Sequence, residues 1–252
     1  MTLPTLVVFD TETDSPNPLE AHIVSAYLAV LDRSGNILKE QEWIVRPKGF
    51  VIPDEAIAIH GISNERAQAE GIHRNVALGQ IRSVIQAECV DGGLPIGGQN
   101  LAYDLTVLHE EWRREYVDIR GDRGPLTGFI GQLYVLDSLV LDKRLNKYRK
   151  GTGARRLINL AAAYGVHLTE EEAHGARADA LAAGRIVLKQ FENDLLRGMP
   201  LDVVHEAEQA WFAEQAADLE NWFHTKAPAD RRNPFFVADR GWPLHSTLTA
   251  TP

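Results

Sequence analysis

Hydrophobic residues in the first part of the chain form short runs that are typical of β-strands. Residues 6–9 are continuously apolar, as in a central strand that is covered on both faces. Residues 22–31 and 37–45 are also strand-like, and the connection between them contains Gly35 and Asn36, which favours a hairpin. We therefore expect three strands of antiparallel type at the start of the chain.

Further along the chain, the apolar residues change to a helical period. This period predicts helices over residues 75–90, 101–116, 155–164, 179–196 and 201–225. A short strand is expected at 94–98, and a further apolar run covers 133–141. Prolines and glycines interrupt residues 47–73, which we expect to be irregular, and glycines mark 117–131 as a surface loop. This order of elements predicts an α/β fold in which helices flank a mixed sheet.

The last part of the chain has a different character. Residues 201–225 contain six acids and no Lys or Arg, and a helix of that length spans about 37 Å. The tail, 226–252, has four prolines and little periodicity, so we expect it to be extended. We divide the chain into a main domain, 1–197, and a C-terminal helical extension with an extended tail, 198–252.

The composition is that of an ordinary globular protein, with 44% hydrophobic and 24% charged residues among 252. Cys89 is the single cysteine, which excludes an intramolecular disulfide and a zinc site built on cysteines. The first residues do not resemble a secretory signal, and no apolar run has the length of a membrane span. We expect a soluble, cytoplasmic protein with no membrane partner.

The net charge of −9 argues against a protein that binds nucleic acid mainly through its overall charge. The distribution is uneven, because residues 142–156 hold seven of the 26 basic residues and only one acid. Two interpretations remain open for this segment. It is either a solvated helix end or loop, or a local patch that contacts phosphate groups.

Asp10 and Glu12 follow the first apolar run. Residues i and i+2 of a strand point to the same face, so these two carboxylates lie side by side. Two carboxylates at such a short distance raise each other's pKa unless a cation neutralises them. Mg²⁺ is a suitable cation because it prefers oxygen ligands. The alternative is a pair of solvated acids at a strand end. A phosphotransfer motif of the Asp-x-Asp-x-Thr type fits poorly, because Glu12 stands at the second acidic position.

Three further candidates lie at predicted helix starts or in loops. Asp104 follows the short strand at 94–98, and Asp179 begins the inward face of a predicted helix five residues after His174. Each has an ordinary structural alternative: a first-turn acid that interacts with the helix dipole for Asp104, an N-cap for Asp179 and a surface loop histidine for His174.

The order of these residues resembles the DEDD superfamily of 3′–5′ exonucleases, in its branch with a histidine in the third motif. Polymerase proofreading subunits, ribonuclease T and oligoribonuclease belong to this family. Residues 8–13 (VFDTET), 100–104 (NLAYD) and 174–179 (HGARAD) are similar to its three motifs, and 60–63 (HGIS) to a loop that meets the terminal nucleotide. The resemblance covers roughly residues 5–195.

Three positions depart from the family pattern. Asp14, Ser15 and Pro16 stand where Thr-Gly is frequent, Gln99 stands where the family often has His, and Tyr103 replaces a common Phe. None of these departures removes a candidate carboxylate or the histidine.

The resemblance implies a ribonuclease H-like fold with a mixed five-stranded sheet flanked by helices. It also implies two-metal hydrolysis of the 3′-terminal phosphodiester to nucleoside 5′-monophosphates, with two Mg²⁺ ions for which Mn²⁺ can substitute. Asp10, Glu12 and Asp179 would hold one ion and Asp10 would bridge to the second, while Asp104 would support the site. His174 would act as general base towards the attacking water.

The implied substrate is the 3′ end of a single strand, with DNA favoured over RNA. The residues expected to contact it are Thr11, Thr13, His60, Ile62, Asn100 and Tyr103. Candidates for holding the upstream strand are Lys143, Arg144, Lys147, Arg149 and Lys150. The C-terminal extension is a candidate surface for a polymerase or another replication partner. Alternatives are an exoribonuclease that trims RNA or degrades short RNA, and a non-catalytic nucleic-acid-binding protein of the same fold.

Overall fold

The computed structural model of the chain describes residues 5–120 and 126–249. Its centre is a mixed five-stranded sheet with the order β3-β2-β1-β4-β5. The strands are β1 (Thr5–Thr13), β2 (Ile23–Asp32), β3 (Ile37–Ile44), β4 (Ile96–Gly98) and β5 (Val135–Asp137). β1, β2 and β3 are antiparallel neighbours, whereas β4 runs parallel to β1 and β5 runs parallel to β4. The predicted mixed sheet of five strands is therefore confirmed.

Helices cover both faces of this sheet. They are α1 (Asp54–His60), α2 (Asn64–Glu70), α3 (Arg74–Ile85), α4 (Leu101–Arg120), α5 (Leu126–Ile130), α6 (Ser138–Leu145), α7 (Leu157–Tyr164), α8 (Ala176–Gln190), α9 (Leu201–Thr225) and α10 (Ser246–Thr249). α3 continues into a π-helical turn, Gln86–Asp91. No helix within the described ranges is long and apolar enough to cross a membrane.

Alternating side chains of β1 pack into two different layers of the core. Val7 and Phe9 belong to the hydrophobic cluster that includes residues of α3 and α4. Leu6 and Val8 belong to the opposite cluster, which includes residues of α8 and α9. α8 lies so close to the sheet that a side chain at Gly184 would collide with Val8. Burial on both faces explains why the beginning of β1 is a continuous apolar run.

Two segments are more helical than the sequence pattern predicts. The expectation of irregular structure over 47–73 is wrong, because α1 and α2 lie there. These helices have seven residues each and bury a single alanine apiece, so they leave little hydrophobic periodicity to detect. The expectation of a surface loop over 117–131 is wrong for two parts of that range. α4 extends to Arg120, and α5 lies at 126–130 and buries Leu126, Phe129 and Ile130. Residues 121–125 lie outside the described residues.

α8 also begins earlier than expected. It starts at Ala176, with Gly175 at the N-cap, so Asp179 lies in the first turn and is not itself the cap. The helix ends at Gln190, and the residues that follow it form turns up to the start of α9. Within these turns, Leu195 is exposed, whereas Leu196 is buried.

Parts of the C-terminal segment pack against the main domain. α9 has the predicted bounds and packs against α6 and β5, with Val204 buried. Trp242 and Leu244 of the tail are buried in the cluster that contains Val7 and Phe9. Residues 226–245 contain no helix or strand, as expected, but the expectation of an extended tail is wrong at 246–249, where the short helix α10 lies. The division of the chain at residue 197 stays a prediction.

Candidate active site

The acidic candidates lie at one edge of the sheet, because β1, β4 and β5 are parallel and their carboxyl ends meet there. Asp10 and Glu12 are in the last part of β1, opposite Tyr27 and Ser25 of β2. The turn after β4 leads into α4, and Asp137 is the last residue of β5. In open α/β sheets, this edge is where ligands commonly bind.

Asp104 is held against β1 by two hydrogen bonds. Its carboxylate accepts from the backbone N–H of Thr11 at 2.9 Å and from the Thr11 hydroxyl at 2.6 Å. Asp104 is 4% exposed and Thr11 is buried as well. Thr11 therefore lies between the two strand carboxylates in sequence and positions a third one. In this structure its hydroxyl is committed to Asp104.

Asp137 organises the turn that leads to Asp104. Its two carboxylate oxygens accept from the backbone N–H groups of Asn100 at 3.1 Å and Leu101 at 2.8 Å. The same side chain caps α6 by accepting from the N–H groups of Leu139 and Val140. Asn100 has a φ of 59°, so this turn is tight, and its side chain is exposed. A structural role for Asp137 agrees with these contacts.

Asp179 faces the same edge from the first turn of α8. Its Oδ1 is buried and has no hydrogen-bond partner among the described residues. Burial raises the pKa of this carboxyl group, while the imidazole and backbone N–H of His174 lower it. His174 itself is exposed and has a φ of 68°, in the tight turn just before the helix.

The four carboxylates repel one another. Burial raises the pKa of Asp10 well above its usual range, and Asp104, Glu12 and Asp179 raise it further. The pKa of Glu12 rises to about 8 through burial and then through Asp179 and Asp104. Burial also raises the pKa of Asp104 to about 7, although its bonds from Thr11 act in the opposite direction. Binding of a cation among these carboxylates would relieve their mutual repulsion.

The chemistry of these donors fits a hard divalent cation. All four are carboxylates, and one of them has a buried oxygen atom that lacks a partner. Their spacing does not by itself complete a coordination shell. Among the described residues, no three His, Cys, Asp or Glu side chains converge closely enough to enclose an ion. The case for a metal therefore rests on donor chemistry and mutual repulsion.

A cleft of about 600 Å³ opens at the end of β1, and Glu12 is the member of the four carboxylates that lines it. It is lined by residues 11–16 at the end of β1, by Pro53, by one side of α1 and by Tyr103. The Tyr103 hydroxyl donates to the Ser15 carbonyl and shares a second hydrogen bond with the Thr13 hydroxyl, both at 2.5 Å. These two contacts tie the cleft wall to α4.

His60 lies at the end of α1, where it lines the cleft. Its Nδ1 accepts from the Ile62 N–H at 3.1 Å, and its buried Nε2 has no partner among the described residues. Burial lowers the pKa of His60, which favours the neutral ring. The Ile62 side chain instead packs against Ile52 and Ala56 in a small hydrophobic cluster. The structure thus does not bring Ile62 into the cleft wall.

Several cleft residues were missed by sequence reasoning. Glu55 and Ile59 line it from α1, which the hydrophobic pattern did not indicate. Asp14, noted only as a departure from the family motif, accepts from both the backbone N–H of His22 at 2.6 Å and its ring at 2.8 Å. Burial raises the pKa of Asp14, but the hydrogen bonds from His22 outweigh burial, so the pKa is lowered overall. Together these hydrogen bonds close the loop 14–22.

Comparisons with known proteins identify the family and the fold of the chain. The model of a family described as exonuclease, the RNase T family, matches residues 7–187. Exonuclease I of E. coli, in complex with a dT13 oligonucleotide, superposes with a TM-score of 0.60 at 19% identity over 77% of this chain. A zinc-bound form of its complex with single-stranded DNA gives the same TM-score. No protein of curated function matches the sequence.

A moderately thermophilic exonuclease I from Methylocaldum szegediense superposes with a TM-score of 0.62 at 18% identity over 85% of this chain. The chain spans less than half the length of these solved structures, 42% and 46%. At such low identity the superpositions establish the fold, which is the ribonuclease H-like fold of exonuclease I. Because the family model covers well over half of the sequence, the chain belongs to the RNase T family of exonucleases.

Proposed function

We propose that this protein is a metal-dependent exonuclease of the histidine branch, which removes nucleotides from the 3′ end of single-stranded nucleic acid. One observation carries the proposal. Asp10, Glu12, Asp104 and Asp179 come from three separate elements and gather at one sheet edge, where Glu12 lines a cleft of about 600 Å³. Clefts of this volume accommodate small ligands, so the terminal nucleotide is a reasonable occupant.

The carboxylates have distinct tasks in this proposal. Asp10, Glu12 and Asp179 would hold one Mg²⁺ ion, and Asp10 would also hold the second, with Mn²⁺ as a substitute. When bound, two such ions supply charge stabilisation for the attacking and leaving oxygen atoms. Asp104 is fixed by Thr11 and keeps its carboxylate directed at the same edge.

His174 would accept the proton of the attacking water. Its place in the turn before α8 puts the ring near the Asp179 carboxylate, yet leaves it exposed to water. Imidazole suits this task because it can hold or release a proton near neutral pH. His60, Thr13 and Tyr103 would shape the wall against which the terminal nucleotide rests.

DNA is the favoured substrate. The E. coli exonuclease I of the superposition binds a dT13 oligonucleotide, and this chain shares its fold. RNA remains the main rival, because recognition of the 2′-hydroxyl depends on details of the cleft. The C-terminal extension is the surface proposed for a polymerase or another replication partner.

The test compares four substrates of one sequence, of which the three linear ones are labelled at the 5′ end and the circle carries an internal label. They are linear DNA with a 3′-hydroxyl, linear DNA with a 3′-phosphate, linear RNA, and circular single-stranded DNA. We expect a ladder of shortened products from the first, no reaction with EDTA, and a block by the 3′-phosphate. A mock preparation that lacks the protein is the control for contaminating nuclease, and Asp10→Asn tests the metal assignment.

Three outcomes would contradict the proposal. Cleavage of the circle at a comparable rate would indicate an endonuclease. Full activity of the Asp10→Asn variant at saturating Mg²⁺ would remove the metal assignment. A faster reaction on RNA than on DNA would favour an exoribonuclease of the same mechanism.

A further inference from the structure

We propose that residues 146–156, here called the basic loop, form a rigid track for the strand just upstream of the terminal nucleotide. The inference rests on the proposed function, since it concerns the same substrate. The loop joins α6 to α7 and contains five basic residues and no acid. The structure divides these five residues into two groups with different tasks.

The first group fixes the shape of the loop. Asp142 of α6 is completely buried, and its carboxylate accepts hydrogen bonds from five donor groups. Arg149 supplies two of them and Arg155 supplies one at 2.9 Å. Asn146 and Tyr164 supply the others. A buried carboxylate needs this compensation, because an unpaired charge in the interior is costly.

Arg155 also links distant parts of the loop backbone. Its guanidinium donates to the carbonyl oxygens of Asn146 at 2.7 Å and Arg149 at 3.3 Å. Arg149 and Arg155 are therefore committed to the scaffold and are not free to contact phosphate. This result excludes Arg149 from the set of strand-holding residues that the sequence suggested.

The second group faces water. Lys147, Lys150 and Arg156 are exposed, and none of them forms an ion pair with an acid in the described part of the chain. Tyr148 stands among them with 83% of its surface exposed. Unpaired cations beside an exposed aromatic ring are the combination that binds single strands, through phosphate contacts and base stacking.

Two other basic residues of the segment contribute less. The Arg144 guanidinium lies over the Trp211 ring at 5.2 Å, so it helps attach α9 to α6. Lys143 is partly buried, and burial lowers its pKa. Neither is included in the proposed track.

The basic loop lies beside the catalytic edge. The Arg155 carbonyl accepts from the Gln99 side chain at 3.2 Å, and Gln99 directly follows β4. The cleft lies at the end of β1. The contact between Gln99 and Arg155 lies at the end of β4, which is next to β1 in the sheet, on the side away from β2. A strand with its 3′ end in the cleft can thus cross the carboxylates and reach the loop.

The test measures binding separately from hydrolysis. The Asp10→Asn protein serves as background, and a 5′-fluorescent DNA oligomer of about 20 nucleotides is titrated at several salt concentrations. Lys147, Lys150 and Arg156 are replaced together by Ala, and Tyr148→Ala is prepared separately. The matched control replaces Lys39, Arg66 and Lys189, exposed cations that pair with acids elsewhere. Both triple variants change the net charge equally.

We expect the loop triple variant to weaken binding about tenfold or more and to flatten the log–log salt dependence by about 2, at roughly 0.7 per phosphate contact. Tyr148→Ala should weaken binding without changing the salt slope. The control triple variant should change neither. In the active background, the loop variant should lose at least tenfold more activity on the oligomer than on a dinucleotide.

An unchanged salt slope, or an equal change in the control variant, would overturn the track. Equal losses on oligomer and dinucleotide would do the same, because they indicate damage to the active site. Absence of hydrolysis in the wild type would count against the proposed function, whereas the binding data would still decide the role of the basic loop.

Discussion

Asp10→Asn should make the metal-free protein more stable while abolishing its activity. Asp10 lies in a cluster where burial and three neighbouring carboxylates raise its pKa. The substitution removes one charge from this cluster and nearly preserves the side-chain volume. The ligands of such a site repel one another when no cation is bound, and this repulsion lowers the stability of the metal-free protein.

The size of the gain follows from the repulsion between Asp10 and its three neighbouring carboxylates. Asp104, Glu12 and Asp179 each raise the pKa of Asp10 in addition to burial, and a shift of one pKa unit corresponds to about 1.4 kcal/mol. Burial is the largest cause, and the substitution at Asp10 does not relieve burial. We therefore expect a gain of about 1–2 kcal/mol, or about 3–6 °C in Tm for a chain of this size.

The same shifts determine how stability depends on pH. Asp104 and Glu12 bind protons more tightly in the folded state, where their pKa values are about 7 and 8, than in the unfolded state. Their contribution to stability is therefore complete below about pH 4 and is lost as the pH rises towards 8. Saturating Mg²⁺, which binds only the folded protein, should offset this loss.

The assay is thermal unfolding between pH 5 and 8.5, with EDTA or with Mg²⁺, for the wild type, Asp10→Asn and Asp218→Asn. Asp218 is exposed on α9, so its substitution is the control for removing a surface charge. The reasoning fails if metal-free Asp10→Asn is less stable than the wild type at pH 7.5. It also fails if Mg²⁺ stabilises both proteins equally.

Two further substitutions test the residues around the carboxylates. His174→Ala should lower kcat about 10²–10⁴-fold, as for loss of a general base, with little change in the Mg²⁺ dependence of the rate; a normal kcat with greatly weakened metal binding would make His174 a ligand. Tyr103→Phe removes the hydroxyl that contacts Thr13 and Ser15, so it should raise KM and lower stability by about 1 kcal/mol. Tyr116→Phe, which loses one exposed hydrogen bond, is its control and should leave KM unchanged.

Much of the sheet could be predicted from the sequence, because strand burial leaves a local record. The continuous apolar run before Asp10 and the hairpin at residues 32–36 follow from chain-local chemistry. The bounds of α9 were also predicted, since a long helix repeats its apolar face several times. Motif order supplied the candidate carboxylates and His174, because each motif is a short contiguous string.

Only the tertiary structure decided which of these residues meet. Thr11 and Asp104 are 93 residues apart in sequence, so their hydrogen bonds depend on how α4 packs against β1. In the same way, a buried carboxylate at Asp142 determines that Arg149 supports the basic loop and that Lys147 stays exposed. A run of charges in sequence does not record which members are neutralised, because partners and solvent exposure arise when distant segments pack together.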